Sequence, residues 1–116
     1  MKWYCLAALM VLCQISQAKA EVILVTGAKI IFYAQSHSDS DAHMIQSNIG
    51  IYKGGDHPSC INNRLYIDFT DKEIIATAMA ASLANKSVSF LYDDAAASKQ
   101  MTGHAINNCR VFSIWQ

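Results

Sequence analysis

A β-rich α+β domain, with its elements in the order β-β-β-α-β-β and one disulfide, is what this sequence predicts. Three observations carry the prediction. β-Branched and aromatic residues gather in five short runs, at 22–34, 44–52, 65–69, 87–92 and 110–115. Between the third and fourth runs the apolar period lengthens from two to that of a helix, over 71–84. Two cysteines, Cys60 between the second and third runs and Cys109 immediately before the fifth, allow one intramolecular bridge.

The domain is expected to begin at Glu21. Residues 1–20, MKWYCLAALMVLCQISQAKA, carry the pattern of a secretory signal peptide. Lys2 supplies the positive start, Trp3 to Ile15 the apolar stretch, and Ala18-Lys19-Ala20 the small-x-small cleavage signature. Alternatives are a retained anchor or a buried strand. The run falls short of the roughly 20 apolar residues that a membrane span requires. A lipidated Cys13 is a third option, weakened by the bulky Leu12 before it. Cleavage after Ala20 would leave one domain, 21–116, in a secreted or periplasmic setting, with no membrane span.

Loss of the leader also takes Lys2 and Lys19, leaving seven basic against nine acidic residues. A mildly acidic surface offers no electrostatic footprint for nucleic acid. Cys5 and Cys13 leave as well, so in an oxidising compartment Cys60 and Cys109 are expected to pair. No CxxC motif and no neighbouring base marks either as a redox or nucleophilic thiol.

Each element has its own local reason. The run VILVTGAKIIFYA is interrupted by Gly27, which predicts a long first strand with a bend or bulge there. QSHSDSDA, at 35–42, is a polar connection. Met44 to Tyr52 reads as a second strand, closed by the turn-rich KGGDHPS. Leu65, Ile67 and Phe69 alternate along a third. Thr70-Asp71-Lys72-Glu73 matches a capping box, and Ile74, Ile75, Ala78, Met79, Ser82 and Leu83 then recur at helical spacing. Asn85 suits a left-handed stop. Val88, Phe90 and Tyr92 alternate in the fourth strand, and RVFSIW forms the fifth after a polar, alanine-rich connection.

This order matches a five-stranded OB-like barrel, with the helix between strands three and four. An open α+β sandwich would give the same string. The barrel is the expectation because closure hides sheet edges. The helix carries no charge between Glu73 and Lys86, and alanines flank its apolar stripe. Either alanine serves simply as a good helix former, or both helix faces are covered, the second by a neighbouring subunit.

The export signal, the element order and the single disulfide resemble the B subunits of AB5 toxins, including the subtilase-cytotoxin binding subunit. The segments CINNRLYIDFTDKEIIATAMAA at 60–81 and CRVFSIW at 109–115 also look like small exported bacterial proteins of unassigned role. The resemblance implies an OB fold, a homo-oligomer (a pentamer in the toxins), a host glycan as ligand, and a catalytic A subunit as partner. No glycan-binding residue of those subunits maps onto a position here, so the ligand-binding residues stay unknown.

The remaining residues offer several constellations. His37, Asp39, Asp41 and His43 alternate in a pattern able to offer nitrogen and oxygen ligands to a metal, but they match no established spacing; polar loops collect such residues for solvation alone. His57 and His104 lie in loops that a Cys60–Cys109 bridge would draw together. Arg64 and Asp68 share a strand face, which suggests an ion pair or a contact of Asp68 to backbone, with Asp71 nearby. Tyr33, Tyr52, Tyr66, Tyr92 and Trp115 sit on or beside strands, where they either pack the core or stack on sugar rings; Trp115, near the chain end, is the best candidate for exposure. Asp93-Asp94 reads as a turn, and Asn85-Lys86-Ser87 has the form of a glycosylation sequon.

No GxSxG, phosphate loop or histidine-linked nucleophile is present. The resulting expectation is a non-catalytic binding module without cofactor or resident metal. A monomeric periplasmic inhibitor or accessory protein, docking one loop onto a partner protein, is the alternative.

Overall fold

The computed structural model describes residues 21–52 and 57–116. The expected signal peptide and the Lys53-to-Asp56 part of the turn lie outside these residues. Six strands form one mixed sheet: β1 (Val22–Ala28), β2 (Ile30–Tyr33), β3 (Ala42–Ser47), β4 (Arg64–Asp68), β5 (Val88–Asp93) and β6 (Arg110–Trp115). Their spatial order is β1-β5-β6-β4-β3-β2. All pairings are antiparallel except β4 with β6, where Tyr66 lies opposite Arg110. One helix, α1 (Lys72–Leu83), connects β4 to β5 and packs against β2 and β6.

The expected closed barrel of five strands is therefore corrected to an open sheet of six. The difference arises in the first run. Gly27 adopts φ +66°, and the pairing of β1 with β5 slips between Val25 and Ala28. A side chain at that φ is disfavoured, so glycine permits the bulge. Lys29 then exchanges hydrogen bonds with Asn48 rather than with β5: its N–H donates to Asn48 Oδ1 (2.8 Å), and its carbonyl accepts the Asn48 N–H (2.9 Å). The chain thus pairs with β5 before the bend and with β3 after it. One run forms both ends of the sheet, joined through Lys29, with no ladder between β1 and β2.

The second strand also ends earlier than expected, at Ser47 rather than Tyr52. The Ser47 hydroxyl donates to the Ile49 carbonyl (2.9 Å) and accepts the Ile49 N–H (3.2 Å). This local loop competes with the ladder and turns the chain out of the sheet.

Inside the sheet, Val25, Phe90 and Ile114 form one row across β1, β5 and β6. With Ile45, Leu65, Ile67, Val88, Tyr92 and Val111 they make the main core. Ala78 and Ala81 of α1 are fully buried in it, and such small side chains let the helix approach closely. Ser82 fixes the approach, its hydroxyl accepting the Phe32 N–H at 3.1 Å. The helix ends as predicted. Asn85 takes φ +52°, with its N–H on the Ser82 carbonyl and the Lys86 N–H on the Ala81 carbonyl, the Schellman arrangement.

Two details of the helix differ from expectation. Thr70 does not cap it, because its N–H and hydroxyl both donate to Asp68 Oδ2. Met79 and Leu83 do not join the buried face either. Together with Ala76 and Ala80 they form an outward stripe, with Leu83 83% exposed.

The expected disulfide is present: Cys60 and Cys109 are bonded, with Cα atoms 5.5 Å apart. It ties the 57–60 turn to the start of β6. A second, smaller core lies on the other sheet face, where Met101 packs on Ala42, Met44 and Tyr66. There the 94–109 connection folds back over β3 and β4. Tyr66 Oη donates to the Ala97 carbonyl (2.7 Å), and Asn107 Nδ2 to the Arg64 carbonyl (2.7 Å).

Candidate functional site: a polar groove between two loops

The folding back of 94–109 places residues 100–103 against the connection that links β2 to β3. The two loops bound an open groove of about 460 Å³, lined by His37, Ser38, Asp39, Ser40, Asp41, Gln100, Thr102 and Gly103. Its walls are tied together through backbone. The Asp41 N–H donates to the Gln100 carbonyl at 2.9 Å, and the Ser40 hydroxyl to the same carbonyl at 3.0 Å. The Thr102 hydroxyl donates to the Asp39 carbonyl. Gly103 makes the return with φ +86°, and the His104 N–H closes the turn on the Met101 carbonyl at 2.9 Å.

These bonds use carbonyls and leave carboxylates free. Among the described residues, Asp39 and Asp41 are exposed and have no cationic side chain within ion-pair distance. The surface therefore offers two carboxylates, hydroxyls and one primary amide, which is a set suited to a neutral ligand rich in hydroxyl groups.

The alternating histidines take a different role from the carboxylates. His37 and His43 flank the Phe69 ring edge-on, with centroid separations of 4.4 and 4.5 Å. His43 Nδ1 also accepts the Gln35 N–H at 3.1 Å, anchoring the start of the groove loop. The four residues His37, Asp39, Asp41 and His43 do not converge on one point. Among the described residues, the only set of three or more metal-ligating side chains held close together is His57, Cys60 and Cys109.

Because His43 Nδ1 is an acceptor, protonation of the ring removes that bond. Burial holds the His43 pKa below its ordinary value of 6.5. His104 is lowered too, by burial and then by Arg64. The unfolded chain thus binds protons that the folded chain refuses, and stability falls as pH drops through about 6.5. Urea midpoints measured at about pH 7.5 and 5.5 should show a loss on acidification, smaller in His43→Gln, whose amide oxygen still accepts from Gln35. An unchanged pH slope in that variant would remove His43 from the account.

Other expected pairings are rearranged. His57 and His104 are not brought together. His57 Nε2 meets Asp94 Oδ2 at 3.3 Å, whereas His104 packs edge-on to Tyr33 at 5.1 Å. Arg64 does not pair with Asp68; its guanidinium lies 5.7 Å from the Tyr33 ring centroid. Asp68 pairs with Lys99 (3.6 Å), and Asp71 with Arg110 (2.9 Å). The Thr70 hydroxyl bond, more than any charge, holds the Asp68 carboxyl below its usual pKa.

Of the strand aromatics, Tyr66 and Tyr92 are core residues. The Tyr92 hydroxyl donates to the Ile51 carbonyl (3.0 Å), and burial pushes its pKa up to about 12. Tyr52 and Trp115 are exposed, Trp115 being the ring that its place near the chain end had singled out.

Sequence reasoning missed the second groove wall. Gln100 and Thr102 carry no motif; the Asn107-Asn108 pair, whose side chains pin their loop, is a signal that the sequence reading did not use. Asn107 Oδ1 accepts the Cys109 N–H (2.6 Å), while Asn108 Nδ2 donates to Ser98 Oγ (2.7 Å) and the Ala96 carbonyl (3.1 Å). Comparison of this chain with protein families, with curated proteins and with solved structures finds no match in any of the three.

Proposed function

We propose that this chain is an exported, non-catalytic binding module of OB-like type that assembles with copies of itself, in the manner of AB5-toxin B subunits, and that it takes a glycan in the groove between 37–41 and 100–103. The groove is the observation that carries this reading. Its walls are the connections after the first strand run and after β5, and these correspond to the loops with which OB folds bind oligosaccharides and oligonucleotides. A sheet whose two ends are consecutive pieces of one run also suits that partly open architecture.

The choice between sugar and nucleic acid follows from charge. Asp39 and Asp41 would repel phosphates, and among the described residues the only basic side chain on the groove lining is His37. Sugar hydroxyls, in contrast, can donate to carboxylates while accepting from Ser, Thr and Gln. Export is supported by the disulfide, which persists in oxidising compartments. No helix among the described residues is long and apolar enough to cross a membrane.

Self-assembly is supported by the stripe Ala76, Met79, Ala80 and Leu83, which presents apolar side chains at i, i+3, i+4 and i+7 on the outside of α1. A second copy is the simplest cover for a face that the protein's own sheet leaves open.

Binding to an immobilised glycan panel tests the ligand assignment. The parent protein should give a defined set of positive glycans, and Asp39→Asn with Asp41→Asn should weaken them by about tenfold or more, since bonds to a charged partner contribute about 1.5–3 kcal/mol. Undiminished binding by that double variant would move the ligand elsewhere. Capture of one protein partner with no glycan signal would favour the docking-inhibitor alternative.

A further inference from the structure

A second constellation lies away from the groove, where the 57–60 turn meets β6. The donor atoms of His57, Cys60 and Cys109 all lie within 4.8 Å of one another. Both cysteines are fully buried, and His57 is 8% exposed. His57 is held on two sides. Its Nε2 faces Asp94 Oδ2 at 3.3 Å, while its Nδ1 accepts the Ser59 N–H at 3.0 Å, immediately before Cys60. With the ring proton on Nε2 and directed at Asp94, Nδ1 keeps its lone pair as an acceptor, at present for the Ser59 N–H. The Cys60 N–H in turn donates to the His57 carbonyl at 3.0 Å, so the turn is preformed.

From this arrangement we infer that the dithiol form of the domain, before the bridge closes, holds one thiophilic divalent cation of the zinc type on Cys60, Cys109 and His57. Two thiolates and one imidazole are the ligands such an ion prefers, and a water completes a tetrahedron. Asp94 acts as a positioning residue, fixing the tautomer and the ring orientation through Nε2.

The distances permit it. Zinc–sulfur bonds of about 2.3 Å in a tetrahedron put the two sulfurs about 3.8 Å apart, and each sulfur about 3.6 Å from the imidazole nitrogen. Cysteines with Cα atoms 5.5 Å apart reach that spacing by side-chain rotation alone. The nitrogen closes in by roughly 1 Å, and the ion takes the lone pair that Ser59 now uses. Binding releases two thiol protons to solvent, and no electron is transferred. The same two sulfurs then serve as a metal clip while reduced, and as a covalent staple once an external disulfide oxidant takes two electrons from them and the ion is released.

The test uses the full chain carrying Cys5→Ser and Cys13→Ser, so that only the two domain thiols remain. It is reduced by a phosphine, which is itself converted to its oxide, and titrated with Co²⁺ without oxygen. One Co²⁺ per chain should bind, with a thiolate-to-cobalt charge-transfer band and the intense visible bands of a tetrahedral site. Zn²⁺ should displace it.

Asp94→Asn should weaken binding by about 10–100-fold, and His57→Ala by about 100-fold or more. Near-ultraviolet circular dichroism of each reduced variant separates loss of a ligand from loss of fold. Absence of a tetrahedral spectrum from the reduced parent would overturn the proposal. Equal affinity in the parent, His57→Ala and Asp94→Asn would do the same, by reducing the site to two sulfurs. Neither result bears on the groove, which the glycan panel tests separately.

Discussion

Replacing Cys60 and Cys109 together by alanine is expected to lower the unfolding free energy by about 4 kcal/mol. The bridge spans 49 residues, and the entropy that it removes from the unfolded chain grows with the logarithm of that span. It closes about half of the domain into one loop, from the turn before β4 to the start of β6. Against a total stability of about 5–15 kcal/mol for a domain of this size, that loss is large. Denaturant midpoints of the parent and the double variant, at equal slope, measure it. A change below about 1 kcal/mol would mean that the unfolded chain is already held closed by other contacts.

Phe90→Ala is the second large effect, with an expected cost of about 3–5 kcal/mol. Phe90 is fully buried on β5, between Val25 of β1 and Ile114 of β6 in one cross-strand row. Tyr92, two residues along the same face, stands with its ring centroid 6.3 Å away. Truncation removes the ring from the middle of this row, and β-sheet neighbours fixed by their ladders can collapse only partly into the space. Exposed Phe112, on the neighbouring strand, provides the comparison: Phe112→Ala should cost well under 1 kcal/mol. Similar losses at both positions would contradict the assignment of the core.

The elements readable in the sequence are those whose cause is local. Apolar alternation through Val88, Phe90 and Tyr92 identified β5, the run RVFSIW identified β6, and the apolar period identified α1 to within one residue at each end. Asn85 was legible as a left-handed stop because its side chain tolerates that conformation. Gly27 was legible as a bend, but not as the point where the chain changes partner. That outcome depends on Asn48 reaching Lys29 across 19 residues, and no local pattern records it.

The groove divides the same way. Its first wall was visible as HSDSD, because acidic and hydroxyl residues in a run mark a solvated loop. Its second wall was invisible, since residues 100–103 arrive there through hydrogen bonds from Tyr66 and Asn107 to distant carbonyls. The capping box at Thr70 failed for a competing reason: Asp68, two residues earlier, offers the Thr70 hydroxyl a charged acceptor. The helical spacing groups Met79 and Leu83 with Ile74, Ile75 and Ala78 because apolar residues occur on both faces of α1. Periodicity alone cannot choose between two such faces; the buried alanines, Ala78 and Ala81, decide it.

That outward stripe leads to the most direct test of the account, in which the domain is an assembling binding module. Light scattering of the disulfide-intact domain, residues 21–116, gives its mass in solution at micromolar concentration. Self-assembly through the stripe gives a mass of several protomers, near five if the assembly follows the toxin subunits, and its collapse to one protomer in Met79→Glu with Leu83→Glu while circular dichroism stays unchanged. A parent protein that is monomeric under those conditions would contradict self-assembly and leave the Ala76, Met79, Ala80 and Leu83 stripe facing solvent.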